Sequence, residues 1–206
     1  MSTSKNDALD CQASPLPPPP PPPWRELSRS RLHRGAKFDW EEVTLEDPRG
    51  QRLTRQVVRH PGAVIVVPVL DASGPGRFAL IRNWRHSTGA WLWEFPAGTL
   101  EPGEPPERCA ARELIEETGF QAATITPLGR FHTSPGLTDE LMWAFAGTGL
   151  REVGQQLEAD ERIVVRLATR REVWSLIDRG ELIDAKSLAA WMLADRKGLL
   201  GNESQA

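Results

Sequence analysis

Three glutamates, Glu113, Glu116 and Glu117, stand at i, i+3 and i+4 in a stretch whose apolar residues repeat at helical spacing. On a helix they lie within about 100° of one another. A solvated acidic face is the ordinary outcome of such a pattern, but two costs count against it here. Like charges at these spacings repel by roughly 0.2–0.5 kcal/mol per pair. The three also sit toward the helix C-terminus, where the macrodipole disfavours anions. A cluster placed against both effects calls for a cation. All-oxygen donors suit Mg²⁺, with Mn²⁺ as a substitute, because these ions keep several waters and share their site with substrate phosphates.

The surrounding residues define the element that holds the cluster. Gly98 and Gly103 permit sharp turns, Pro105 and Pro106 suit a first helical turn, and Gly119 stands where a left-handed C-cap is wanted. A loop leading into a helix over about Pro105–Thr118 follows. Ala110, Ala111, Leu114, Ile115 and Thr118 form its packing face, with the glutamates on the opposite side. Upstream, Trp40–Leu45, Leu53–Arg59, Ala63–Leu70, Phe78–Arg82 and Trp91–Phe95 read as strands separated by Gly- and Pro-containing turns. Downstream, Ala122–Phe131, Glu140–Ala146 and Arg162–Leu167 read as further strands. Two helices then close the chain, the first opened by a Thr169/Glu172 capping box, the second beginning at Asp184 and ending near Gly198. A mixed sheet packed between helices is the expected architecture.

The set Gly98, Glu104, Arg112, Glu113, Leu114, Glu116, Glu117, Gly119 and Phe120 resembles the Nudix box at every defined position. That resemblance implies an α/β fold, an α/β/α sandwich with a mixed β-sheet, and a hydrolase that cleaves a nucleoside diphosphate joined to another group. It implies metal ligation by Glu113, Glu116 and Glu117 together with the backbone carbonyl of Ala97. It also puts Arg112 in the catalytic set with Glu116, Glu117 and a loop glutamate; Arg112 and Glu104 would orient the ligands by hydrogen bonds and ion pairs.

Two upstream segments, Trp93 to Gly98 and Leu80 to Arg85, are similar to those of ADP-ribose pyrophosphatases and related nucleotide-sugar hydrolases. Where those carry Gln-Tyr-Arg, this chain has Asn83-Trp84-Arg85. By that similarity Arg85, Arg55 and Glu94 bind substrate, the guanidinium forks suiting a diphosphate. Ser134 to Glu140 resembles a loop of the same group, with Pro135 sixteen residues past Gly119. Glu140 matches the loop glutamate that assists the attacking water, and Asp139 is its rival. The implied reaction converts ADP-ribose to AMP and ribose 5-phosphate. GDP-mannose, NADH or FAD are alternative substrates, and a ligand-sensing domain without catalysis is the reading from another class. Relatives in this subgroup are commonly homodimers that exchange N-terminal strands, which implies that residues 37–53 serve a partner's site, with Phe38 or Trp40 stacking on the base.

Composition narrows the partners. With a net charge of −3 and a pI near 5.9, the chain has no broad basic surface for a nucleic-acid backbone or an anionic membrane. A small anionic substrate needs only local positive charge. No apolar stretch is long enough for a spanning helix, and the N-terminus lacks a secretory pattern. Two cysteines, Cys11 and Cys109, cannot form a disulfide framework, so a cytoplasmic setting is expected. Residues 1–23 end in consecutive prolines that adopt an extended helix without backbone donors, and are expected to be a disordered tail. Residues 24–206 are expected to form one domain. The abundance of Trp beside an absence of Tyr has no evident physical cause.

Overall fold

The centre of the molecule is the strand β4 (Ala63–Asp71), whose alternating residues feed two separate cores. Ala63, Ile65, Val67 and Val69 face one side and Val64 and Val66 the other, as the period-2 geometry of a strand requires. A strand apolar on both faces must be covered on both, which is what makes this chain a sandwich rather than a one-sided sheet. The computed structural model describes residues 19–71, 76–157, 159 and 161–201. Residues 1–18 of the expected tail lie outside these, and residues 19–23 are exposed and neither helical nor in a strand.

On either side of β4 run β5 (Arg77–Arg85) and β10 (Leu141–Thr148), flanked in turn by β12 (Ile163–Thr169) and β9 (Thr124–His132). Two short strands complete this seven-stranded sheet: β6 (Ala90–Glu94) pairs with β5, and β7 (Ala97–Thr99) pairs with β4. The β4–β10 pairing is parallel and the others antiparallel, so the sheet is mixed, as expected.

Helix α1 (Pro106–Thr118) covers one face through Cys109, Ala110 and Leu114. Gly119 ends it with a φ of 75°, a left-handed conformation that favours glycine. Helices α2 (Arg170–Asp178) and α3 (Ala185–Arg196) cover the other face. The Thr169/Glu172 capping box forms, and Asp184 caps α3 through the Ser187 N–H. Fully buried Trp191 of α3 packs on Phe78, Phe95 and Trp174. Its truncation to Ala would cost ~3–5 kcal/mol. Among the described residues no helix is long and apolar enough to cross a membrane.

Ahead of the sandwich, β1 (Arg25–Arg34), β2 (Asp39–Glu46) and β3 (Arg52–Arg59) form an antiparallel three-stranded sheet. The sequence gives no apolar alternation for β1, because its cross-strand partners are charges: Arg25–Glu46, Arg29–Glu41 and Arg31–Asp39. This sheet is tied to the sandwich at Val58. Its N–H donates to the Leu137 carbonyl, and its carbonyl accepts the Asp139 N–H. Two-residue strands β8 (Phe120–Gln121) and β11 (Arg151–Glu152) pair with each other below the end of α1.

Candidate active site

The loop Pro96-Ala97-Gly98 passes so close to α1 that the box glutamates are enclosed rather than solvated. Glu117 is 2% exposed and its Oε2 accepts the Ala97 N–H at 2.7 Å. Glu113 is 7% exposed and lies against Gly98, where a Cβ would fall 1.9 Å from the Glu113 Cδ. Only glycine leaves room for that carboxylate. Contrary to the helical wheel, Glu113 and Glu117 are buried, while Ala111 and Ile115 of the expected packing face are only half-buried. The covering loop, which a helical wheel omits, accounts for the difference. Burial pushes Glu113 up to about 7 and Glu117 up to about 8, because water cannot solvate the ionised carboxylates there.

Arg112 lies across the mouth of this cluster. Its Nη1 donates to Glu113 Oε1 at 2.7 Å and to Glu116 Oε2 at 2.8 Å. Its Nε and Nη2 hold the two oxygens of Glu104 at 3.0 and 2.9 Å. Those bonds hold Glu104 down to about 2 and raise Arg112 above the usual guanidinium range. Arg112 and Glu104 are thereby joined to Glu113 and Glu116 in one hydrogen-bonded network. The donor set fits a hard divalent cation: carboxylate oxygens, two of them desolvated, around a close backbone approach. Among the described residues, however, no three ligating side chains are already gathered on one point. Arg112 instead supplies the positive charge shared by Glu113 and Glu116.

A cleft of about 980 Å³ opens over this surface, lined by Ala97, Arg112, Glu113, Glu116, Glu117 and Arg85 among the expected residues. Arg85, at the end of β5, reaches it over Glu94, whose two oxygens accept from Arg85 Nε and Nη2 at 2.7 and 2.5 Å. Glu94 is 0% exposed, and both of its oxygens are occupied by Arg85 and Lys186. Arg55 does not line the cleft; its Nη1 donates to the Thr54 carbonyl. On β3 residues 55, 57 and 59 share a face, and it is Arg59, farther along, that enters the cleft.

The loop expected to carry the base divides between two places. Asp139 lines the cleft, its carboxylate held by Arg59 Nη1 at 2.5 Å and the His60 N–H at 2.9 Å. Burial pushes its pKa up, but those donors outweigh it and hold Asp139 below the usual carboxylate range. Glu140 faces an adjoining hollow of about 370 Å³, where Thr133 Oγ1 donates to its Oε2. The acid that does face the box carboxylates is Glu161, a residue without a place in the sequence-based set. It lies close enough to push the pKa of both Glu113 and Glu117 upward. Only an acidic run before β12 hinted at it. Phe38 lines the same chain's cleft and Trp40 does not.

Comparison with known proteins matches this geometry to a family. A NUDIX domain model matches residues 59–191. An ADP-ribose pyrophosphatase of Bacillus subtilis is 34% identical over 81% of this chain and 89% of its own length. One from Mycobacterium tuberculosis is 39% identical over 79% of each chain. The crystal structure of an ADP compounds hydrolase superposes with a TM-score of 0.73 at 23% identity, covering 84% of this chain and 93% of that one, a likeness of fold. With the box glutamates enclosed by their own loop and the family model running from the end of β3 through the seven-stranded sheet, α1 and α2 into α3, the chain belongs to the Nudix family.

Proposed function

We propose that this chain hydrolyses the diphosphate bond of ADP-ribose, releasing AMP and ribose 5-phosphate, with Mg²⁺ as its metal and Mn²⁺ as a substitute. The observation that carries the reading is the pairing, in one cleft, of two desolvated carboxylates with two arginines, Arg59 and Arg85. Carboxylates alone would repel a diphosphate; guanidinium groups in the same cleft give it a complementary partner. The choice of ADP-ribose draws on the activity named for the Bacillus and Mycobacterium relatives.

Glu113, Glu116 and Glu117 would hold the metal, with the Ala97 carbonyl beside them. A divalent cation bound there neutralises diphosphate oxygens and makes water a better nucleophile. Arg85 and Arg59 bind and orient the diphosphate, and Arg112 keeps the carboxylates in register. We assign the proton of the attacking water to Glu161 in preference to Glu140, because Glu161 faces the box carboxylates and Glu140 faces the neighbouring hollow. Phe38, half-exposed at the cleft's edge, offers an aromatic face for the base.

We also infer a homodimer in the cytoplasm. Leu32 and Trp40 are exposed on a three-stranded sheet that buries little of itself, and Cys109 is a buried free thiol. A panel of ADP-ribose, ADP-glucose, GDP-mannose, NADH and diadenosine polyphosphates, each assayed for phosphate after phosphatase coupling, tests the substrate. ADP-ribose should give the highest kcat/KM. Equal turnover of GDP-mannose would remove the substrate assignment.

A further inference from the structure

Behind Arg85 lies a charged assembly larger than holding one arginine requires. Glu94 accepts from Arg85 through both oxygens, and its Oε2 accepts a third bond from Lys186 Nζ at 2.6 Å. Lys186 is largely buried and also donates to Asp184 Oδ1 at 2.8 Å. The other Asp184 oxygen takes the Ser187 N–H at 3.0 Å and the Ser187 hydroxyl at 2.5 Å. Ser187 Oγ in turn accepts the Phe95 N–H at 2.9 Å. The first turn of α3 therefore grips two successive residues, Glu94 and Phe95, immediately before the loop that encloses Glu113 and Glu117.

Two carboxylates, Glu94 and Asp184, and two cations, Arg85 and Lys186, make up this assembly, so its charges balance. Burial pushes the Glu94 pKa up, but Arg85 and Lys186 together hold it below the usual carboxylate range. Lys186 takes part of the Glu94 charge that would otherwise rest on Arg85 alone, and Arg85 also feels Asp184 and Glu117. The Arg85 Nε and Nη2 face Glu94, which leaves the Nη1 edge for another anion. Arg85 and Lys186 both border the hollow of about 370 Å³ that adjoins the main cleft, so the charge balance of this assembly is felt where the substrate would lie. Without Lys186, the whole charge of Glu94 would fall on Arg85, and in a desolvated site that loss is scarcely screened.

We propose that Lys186 is a positioning residue for substrate binding: by sharing the charge of Glu94 and fixing it to α3, it leaves Arg85 aimed at the diphosphate and keeps an uncompensated negative charge away from it. The proposal rests on the reading of Arg85 as a diphosphate-binding arginine.

Steady-state kinetics on ADP-ribose in Mg²⁺ tests it through Lys186→Met, Lys186→Gln, Lys186→Arg, Arg85→Met and the Lys186→Met/Arg85→Met double variant. Loss of the lysine charge should raise KM roughly tenfold with kcat nearly unchanged, the pattern of a lost binding contribution. Lys186→Gln, which keeps a donor without charge and spares the packing, should behave like Lys186→Met, and Lys186→Arg should recover most of the affinity. The half-saturating Mg²⁺ concentration should not move. In the double variant KM should rise no further than in Arg85→Met, because contacting residues acting through one another are not additive. A wild-type KM in Lys186→Gln, or effects that multiply in the double variant, would overturn the proposal while leaving Arg85 in its role. An unchanged KM in Arg85→Met would remove the reading of Arg85, and the proposal with it.

Discussion

Removing divalent metal should make the stability of this protein fall steeply with rising pH, in a range where most proteins are indifferent to it. Glu113 and Glu117 ionise in the unfolded chain near 4.5 but, in the fold, only near about 7 and about 8. A folded pKa above the unfolded one contributes stability that is complete below 4.5 and is lost as pH climbs through the folded value. Between pH 5.5 and 8.5 the two carboxyls together should withdraw ~5 kcal/mol, at ~1.4 kcal/mol for each pH unit over which the fold keeps a proton that the unfolded chain has lost. For a chain of this size ~1 kcal/mol moves Tm by about 2–4 °C, so the metal-free midpoint should drop by about 10–20 °C over that interval. Carboxylates held low by their partners, such as Glu104 at about 2, lose their contribution only in acid and do not disturb the window. Scanning calorimetry in chelator, repeated with excess Mg²⁺, measures this. The cation should restore the midpoint strongly at pH 8.5 and hardly at pH 5.5, where it competes with protons. A metal-free midpoint that stays flat from pH 5.5 to 8.5 would refute the argument that these side chains are desolvated acids awaiting a cation.

Gly98→Ala would put a methyl 1.9 Å from the Glu113 carboxylate. Because the far end of a side chain can swing aside, circular dichroism should stay native while kcat/KM falls by ~10²-fold or more. Glu161→Gln should lower kcat by ~10²–10⁴-fold with little change in KM, and Glu140→Gln by less than about tenfold; stopped assays on purified variants decide, and the reverse order would return the base to Glu140. Deletion of residues 1–23 should leave kcat/KM unchanged, since the described part of that segment touches no cleft.

Much of the fold was legible because local chemistry and global packing agree. Pro105, Pro106 and Gly119 set both ends of α1, and the doubly apolar β4 demanded helices on both of its faces. What stayed hidden depends on contacts distant in sequence. β1 is held by arginine–glutamate pairs across to β2, a pattern without hydrophobic period. The burial of Glu113 and Glu117 comes from a loop lying outside the helix that carries them. Arg55 and Arg59 are equivalent by alternation, and only the tie between Val58 and the segment 137–139 decides which one meets the cleft. Lys186 and Glu161 reach the site from beyond the box, where spacing along the chain carries no signal.

The backbone after α1 has a mechanical consequence for Glu161. The end of α1 is capped by the segment that follows β11: Gly119 O accepts from Val153 and Gly154, and Glu116 O accepts from Gln156. On the far side, Trp84 N–H donates to the Arg162 carbonyl at the point where β12 joins β5. Glu161 thus stands one residue from a clamp, and its Cα stays within ~4 Å of that pivot. It is a short lever rather than a flap. Its fulcrum is the residue beside Arg85, so the acid and that arginine are linked through the β5–β12 pairing. A shift of β5 would move both together and preserve their spacing, while the carboxylates on α1 would stay behind.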